Sequence, residues 1–298
     1  MSQKHAGVYV SDRLARYFFV ASAILVSLII LTIIWFVGNQ GLATFRVASP
    51  TQFFTSSKWS PDTGSFGALT FIAGTLGTTV LALLIGAPLG LAGAVFMAKV
   101  APHWMRAVLR PATELFAGIP SVVYGYVGIT VFVDLIRRLT GSTTGYGLLA
   151  ASLVLAIMIL PTVISISEDT LHALPESYEE ASLALGATRW QTIWRVLLPA
   201  AKPGIMTAVI LAMARAIGET MAVQMVIGNS PLFPQSFVTP TSTLTSDIVM
   251  EMGNTPFGST WNNALFMMSL LLLLVSLFLI ILVRAIIRRG DLNEPQNI

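Results

Sequence analysis

Apolar residues in this chain fall into long blocks, not into the short alternating runs of half-buried strands. The clearest block is residues 17–38, YFFVASAILVSLIILTIIWFVG. Five more follow: 68–98, rich in glycine; 112–133, interrupted by Pro120; 147–167, with Pro161 near one end; 203–228; and 261–287, which contains LLLLVSLFLIILV. Crossing a bilayer core takes about 20 mostly apolar residues in a helix. The pattern therefore predicts an all-α polytopic membrane protein. Its single six-helix domain covers 17–287, between an N-terminal segment 1–16 and a tail 288–298. The first block is too long for the apolar region of a signal peptide, and no small-x-small cleavage site follows it.

Composition agrees. Of 298 residues, 55% are hydrophobic and 10% charged, with a mean hydropathy of +0.78. Soluble domains carry about a quarter charged residues. With no cysteine, disulfides, thiolate catalysis and Cys-zinc sites are excluded. His5, His103 and His172 lack metal-ligand spacing. With the N-terminus inside, the inner segments hold twelve Lys and Arg: Lys4, Arg13, Arg16, Lys99, Arg106, Arg110, Arg189, Arg195, Lys202, Arg284, Arg288 and Arg289. The outer segments hold four: Arg46, Lys58, Arg137 and Arg138. The positive-inside rule then places both termini in the cytoplasm, as an even number of crossings requires.

Two blocks carry breaks. Residues 86–94 read GAPLGLAGA, and Gly86-x-x-x-Gly90 has the spacing that lets helices approach closely. Residues 117–128 read AGIPSVVYGYVG. There Pro120 frees a backbone carbonyl, and Ser121 adds a hydroxyl beside it. Irregular backbone at membrane depth is tolerated only against protein or a wet cavity. The third span is therefore expected to face the bundle interior, beside a pathway.

The connection 170–202 reads as two short helices rather than as a linker. Pro175 opens the first, with Glu176, Glu179 and Glu180 near its positive end. Gly186 suits its C-terminus, and Thr188 caps the second, which Pro199 and Pro203 bound. By periodicity alone the element fits equally a hairpin docked in a partner's cleft and an amphipathic hairpin on the lipid surface. A segment 243–253, TLTSDIVMEMG, is expected to form a short helix on the outer face.

The fifth block contains LAMARAIGETMAV, with Arg215 and, four residues on, Glu219. Arg215 lies twelve residues past Pro203, roughly 18 Å along a helix and close to the bilayer midplane. An arginine there costs at least about 2.5–3.5 kcal/mol on insertion scales and cannot shed its charge. Glu219 is the obvious partner, one helical turn away. Mutual neutralisation is the bland reading; but Arg before Glu is the weaker order for such a pair, and intramembrane charges are generally functional. A guanidinium matches oxyanion geometry. A carboxylate beside it repels an anion unless that anion has a proton to donate, which phosphate has near neutral pH and sulfate has not. Thr220 and Ser121 add neutral hydroxyls to this candidate pathway. Whether Arg215 and Glu219 hold an ion directly or hold each other stays open at this level.

No P-loop GxxxxGK[ST] occurs, and neither HExxH nor GxSxG is present. GTLGTT at 74–79 lacks the lysine. No cofactor is expected within the chain.

EASLALGATRWQTIWRVLLP, residues 180–199, resembles the EAA signature of ABC-transporter permease subunits. Glu180, Ala181, Ser182, Gly186, Val196, Leu198 and Pro199 stand at its offsets, with Ser182 for the usual alanine and Val196 for the usual isoleucine. The resemblance implies that Glu180, Ala181, Ser182, Gly186 and Pro199 belong to an element coupled to a separate ATPase, which binds ATP and magnesium. More narrowly, residues 66–98, 117–128 and 214–229 resemble membrane subunits of the bacterial phosphate-specific (Pst) importer, and GETMAV resembles its C-type permease. That family is a type I importer of the cytoplasmic (inner) membrane. The expected partners are an A-type permease, an ATP-binding subunit dimer and a periplasmic phosphate-binding protein. Rival readings are the same architecture carrying sulfate, molybdate or phosphonate, an ATP-independent secondary transporter with Arg215 and Glu219 as a proton relay, and a membrane scaffold or signalling partner.

Overall fold

The computed structural model describes the backbone of residues 3–292 and the side chains of residues 15–285. Most side chains of the expected segment 1–16, and all those of the tail 288–298, lie outside the described residues. Helix α1 (Gln3–Leu42) is followed by α2 (Pro50–Thr55) and a small antiparallel hairpin, β1 (Trp59–Ser60) and β2 (Ser65–Phe66), with Trp59 opposite Phe66. Helix α3 (Leu69–Val95) ends in a π turn at Phe96–Val100. Then come α4 (His103–Gly118), α5 (Ser121–Val127), a π turn at Gly128–Val133 and α6 (Asp134–Thr140). Helix α7 (Leu148–His172) leads into α8 (Ser177–Ala184) and α9 (Arg189–Thr192). A third π turn, Ile193–Leu197, joins α9 to α10 (Leu198–Gly218). The chain closes with α11 (Met221–Ile227), α12 (Leu244–Met252) and α13 (Thr260–Leu292).

Among the described residues five helices are long and apolar enough to cross a membrane, or six if a bent pair counts as one span. That pair corrects the expected third span. The block 112–133 is not one segment: α4 and the helical stretch 121–140 meet at 96°. Ile119, the residue before Pro120, is extended, as the proline ring requires of its predecessor. Helix α4 buries none of its residues, so its apolar last turns looked like part of a span although they lie before the turn. The expected helix at 243–253 is α12, capped by Thr243.

The coupling segment differs in one respect. Pro199 and Pro203 were expected to close its second helix; instead helix runs on from Arg189 to Gly218. A proline in a helix clashes with the carbonyl four residues back and leaves it without a donor. The π turn at 193–197 widens the helix just where Pro199 would strain it, so the run bends rather than ends.

Helix α7 forms the centre. Gly86 and Gly90 let α3 lie against Ile159 and Val163 of α7, where an added Cβ would come within 2.8 and 2.7 Å of those side chains. Helix α10 joins the same contact, with Ala212 and Ala216 packed on Ile159 and Val163. Helix α1 packs on α13, and its residues from Tyr17 to Phe36 present large exposed apolar side chains, as a lipid-facing helix does. The connections gather at two ends. At the loop end, Trp59 Nε1 donates to Glu251 at 3.2 Å and Leu149 N to the Phe237 carbonyl at 2.8 Å. At the hairpin end, Lys99 Nζ pairs with Glu179 at 2.8 Å and Arg110 with Asp169 at 3.1 Å.

Candidate functional site

The two broken helices meet each other. Gly125 of α5 lies against Ala222 and Met225 of α11, and Gly128 lies against Val226. A Cβ on Gly125 would come within 2.6 Å of Met225 Sδ and 3.1 Å of Ala222 Cα, so the two helices cross closely there. The pairing of 125 with 222 and of 128 with 226 makes the helices parallel. Its register carries Ser121, the first residue of α5, to the level of Gly218 and Glu219. Both breaks thus lie side by side within the bundle.

Each break satisfies its freed groups locally. Pro120 deprives the Phe116 carbonyl of its helical donor, and the Tyr124 hydroxyl donates to that carbonyl at 2.7 Å. At the second break Gly218 ends α10 and Glu219 is extended, with φ −68° and ψ 128°. The Thr220 hydroxyl donates to the Gly218 carbonyl at 3.2 Å. Glu219 Oε1 accepts from the backbone amides of Thr220 at 3.2 Å and Ala222 at 3.4 Å, so it caps α11. No protein donor reaches its second oxygen, Oε2, among the described residues.

Arg215 and Glu219 therefore do not pair. The helix ends between them, which removes the one-turn geometry the spacing implied. Among the described residues no carboxylate comes within 4.0 Å of the Arg215 guanidinium. Its hydrogen bond goes instead from Nη1 to Thr162 Oγ1, at 3.4 Å, beside Pro161 in α7. Thr162 and Tyr124 were not anticipated. The signals for them were weak: a hydroxyl following an intrahelical proline, and a tyrosine one turn beyond a helix-breaking one. Ser121 is half-buried, as are Arg215, Glu219 and Thr220. The Arg215 guanidinium thus has one hydroxyl partner, Thr162, and no counter-charge within 4.0 Å among the described residues.

At the hairpin end, α8 and α9 form a tight bend. Gly186 has φ 83°, the left-handed region. Thr188 accepts from Gln191 N at 3.3 Å while Gln191 Oε1 accepts from Thr188 N at 2.9 Å, a reciprocal cap. Ser182 and Thr192 share a hydroxyl contact of 2.9 Å, which holds the two helices together. Glu180, Ala181 and Gly186 lie exposed, and Leu185 is 90% exposed at the tip. These four candidate coupling residues come together; Pro199 stands apart, eleven residues beyond Thr188 in the continuous helix, about 16 Å along its axis. Apolar tips on a polar hairpin are surfaces for a partner rather than for water.

The fold and site define a multi-pass, all-helical membrane subunit with broken helices around an unpaired cation and a projecting hairpin. The chain belongs to the family of binding-protein-dependent transport system inner membrane components, whose model matches residues 90–290. It is 52% identical over 253 residues to the probable ABC transporter permease protein YqgH of Bacillus subtilis, covering 84% of this chain and 82% of that one. It is 33% identical over 310 residues to the phosphate transport system permease protein PstC of Xylella fastidiosa, with 95% and 94% covered. To PstC of Mesorhizobium japonicum it is 34% identical over 293 residues, with 91% and 88% covered. Its fold matches that of a bacterial alginate ABC transporter solved with its alginate-bound periplasmic protein, with a TM-score of 0.64 at 15% identity, covering 93% of this chain and 96% of that one. The chain is a transport subunit of the inner membrane and not an enzyme in itself.

Proposed function

We propose that this chain is the C-type permease half of an ATP-driven phosphate importer, and that Arg215 contacts the ion. The observation that carries the site reading is the guanidinium held by Thr162 with no carboxylate beside it. A charge so placed in a spanning helix is tolerated where an anion or water completes it. Two PstC relatives, matched over most of both chains, support phosphate as that anion. Glu219 acts with its uncommitted Oε2, which accepts a proton-bearing ligand oxygen and repels sulfate. Ser121 and Thr220, level with it, supply neutral hydroxyl contacts.

The energy enters through partners. The hairpin with Glu180, Ala181, Ser182 and Gly186 docks on an ATP-binding subunit, where ATP and magnesium reside. Its movement passes along the helix from Arg189 to Gly218 to the break at Glu219, and Pro199 sits within that lever. An A-type permease supplies the other wall of the pathway, and a periplasmic phosphate-binding protein loads it from the loop end. Both termini lie in the cytoplasm.

The test is ATP-dependent phosphate uptake by the four reconstituted components. Arg215→Ala is expected to lower uptake about 30-fold or more, since truncating a buried charge contact costs roughly 2–5 kcal/mol. Unchanged uptake in well-assembled Arg215→Ala protein removes Arg215 from the site. Sulfate competing as well as phosphate replaces phosphate with another oxyanion.

A further inference from the structure

Residues 241–247, TSTLTSD, are buried throughout although six of the seven are polar. They lie at the loop end, outside the spanning helices, and continue into α12. Nearly all of their polarity is satisfied. Thr243 and Ser246 cap one another at 2.9 and 3.2 Å. Leu244 N donates to Thr75 Oγ1 of α3 at 2.9 Å. Thr245 Oγ1 donates at 3.1 Å to the Glu219 carbonyl, so this segment is tied directly to the second break.

Asp247 is the exception. It is 6% exposed, and its Oδ2 is buried with no hydrogen-bond partner among the described residues. No cation relieves it. Helices α3 and α11, packed against α12, contain no charged residue, and the first charge in α13 is Arg284, far along that helix. Arg46 and Lys58, the cations of the neighbouring connections, are exposed. The facing acids only add negative charge. Glu251, one turn on, is held by the indoles of Trp59 and Trp261 at 3.2 and 2.7 Å, and Glu219 caps α11. An ionised carboxylate without a donor in such surroundings is strongly disfavoured. Burial, with the Glu251 charge adding to it, pushes the Asp247 carboxyl up to about 8.

We propose that Asp247 is a proton-binding site: the closed arrangement of residues 241–247 holds one proton on this carboxyl, and swinging the segment away from α3 and the Glu219 break releases it to solvent. The sign follows from linkage. Once solvated, the carboxyl returns to an ordinary value of about 3.9. Between about pH 4 and pH 8 the closed arrangement therefore holds one proton more than the open one. The open population rises by up to about tenfold per pH unit through that window and levels off above it. The element that covers the break at the loop end thus opens with loss of a proton, whichever anion the transporter carries.

Because the chain lacks cysteine, single thiols report this directly. Ser242, 2% exposed, is changed to Cys in the assembled transporter in nanodiscs. Its maleimide modification rate is followed from pH 6 to 9 and normalised to that of Gln235→Cys, an exposed position. The normalised rate is expected to climb by up to about tenfold per unit to pH 8 and then flatten. With Asp247→Asn added, the climb is expected to disappear. A flat rate with Asp247 present overturns the proposal. So does an equal climb in the Asn variant. If that variant fails to assemble, the first measurement decides alone.

Discussion

The two oxygens of Glu219 differ in their surroundings. Oε1 is committed to the amides that begin α11, while Oε2 accepts from no protein donor among the described residues. Glutamine keeps an amide-accepting oxygen at the same place but carries no charge. Glu219→Gln is therefore expected to leave thermal stability within about 0.5 kcal/mol of wild type while weakening discrimination against sulfate. Glu219→Ala removes the cap as well and is expected to cost about 1 kcal/mol more. Thermal unfolding and sulfate competition, measured on the same preparations, separate the two. Equal destabilisation by both variants rules out the cap; unchanged sulfate rejection in the Gln variant rules out a selective Oε2. The sequence made Arg215 conspicuous because one charge in an apolar run is a local signal. Whether Glu219 was its partner stayed open for a local reason too, since Glu219 lay at helical spacing. Thr162, 53 positions away, becomes a partner only when α7 and α10 pack.

At the scale of elements, much of the hairpin could be read in advance because caps and left-handed glycines are local chemistry. Gly186 and Thr188 take the roles their residue types predict. The 96° turn was half visible: Pro120 marked a break, but nothing in the apolar block told how sharply the chain turns there. The continuity past Pro199 was hidden, because a π turn has no residue signature comparable to proline's. Gly186 offers a clean test of the bend, as nothing lies within 4 Å of where its Cβ would stand. Any substitution effect there is conformational, not steric. Asparagine tolerates the left-handed region, whereas a β-branched residue does not. Gly186→Val is expected to disfavour the bend by about 1–2 kcal/mol and to weaken co-purification of the ATP-binding subunit roughly five- to thirtyfold. Gly186→Asn is expected to retain most of it. Equal retention by both variants means that docking does not use this bend.

In the whole molecule the hairpin lies at one end, and the second break and the buried 241–247 segment lie together, joined by the Thr245 hydroxyl on the Glu219 carbonyl. A single continuous helical run, Arg189 to Gly218, connects the hairpin to the break at Glu219. That route transmits ATP-driven motion only if the hairpin is cytoplasmic, where ATP is. The charge asymmetry favours that placement: the segments on the hairpin's side hold twelve Lys and Arg against four. The orientation is open to direct measurement in the cysteine-free chain. Leu185→Cys, at the exposed tip, is expected to react with a membrane-impermeant maleimide only after the cells are permeabilised. Gln235→Cys, exposed at the loop end, is expected to react once the outer membrane alone is opened. The reverse pattern would put the hairpin beyond reach of any ATPase, and with it would fall the coupling role of Glu180, Ala181, Ser182 and Gly186. Arg215 would still be an unpaired cation at a helix break, so the anion site and the drive that empties it stand or fall on separate measurements.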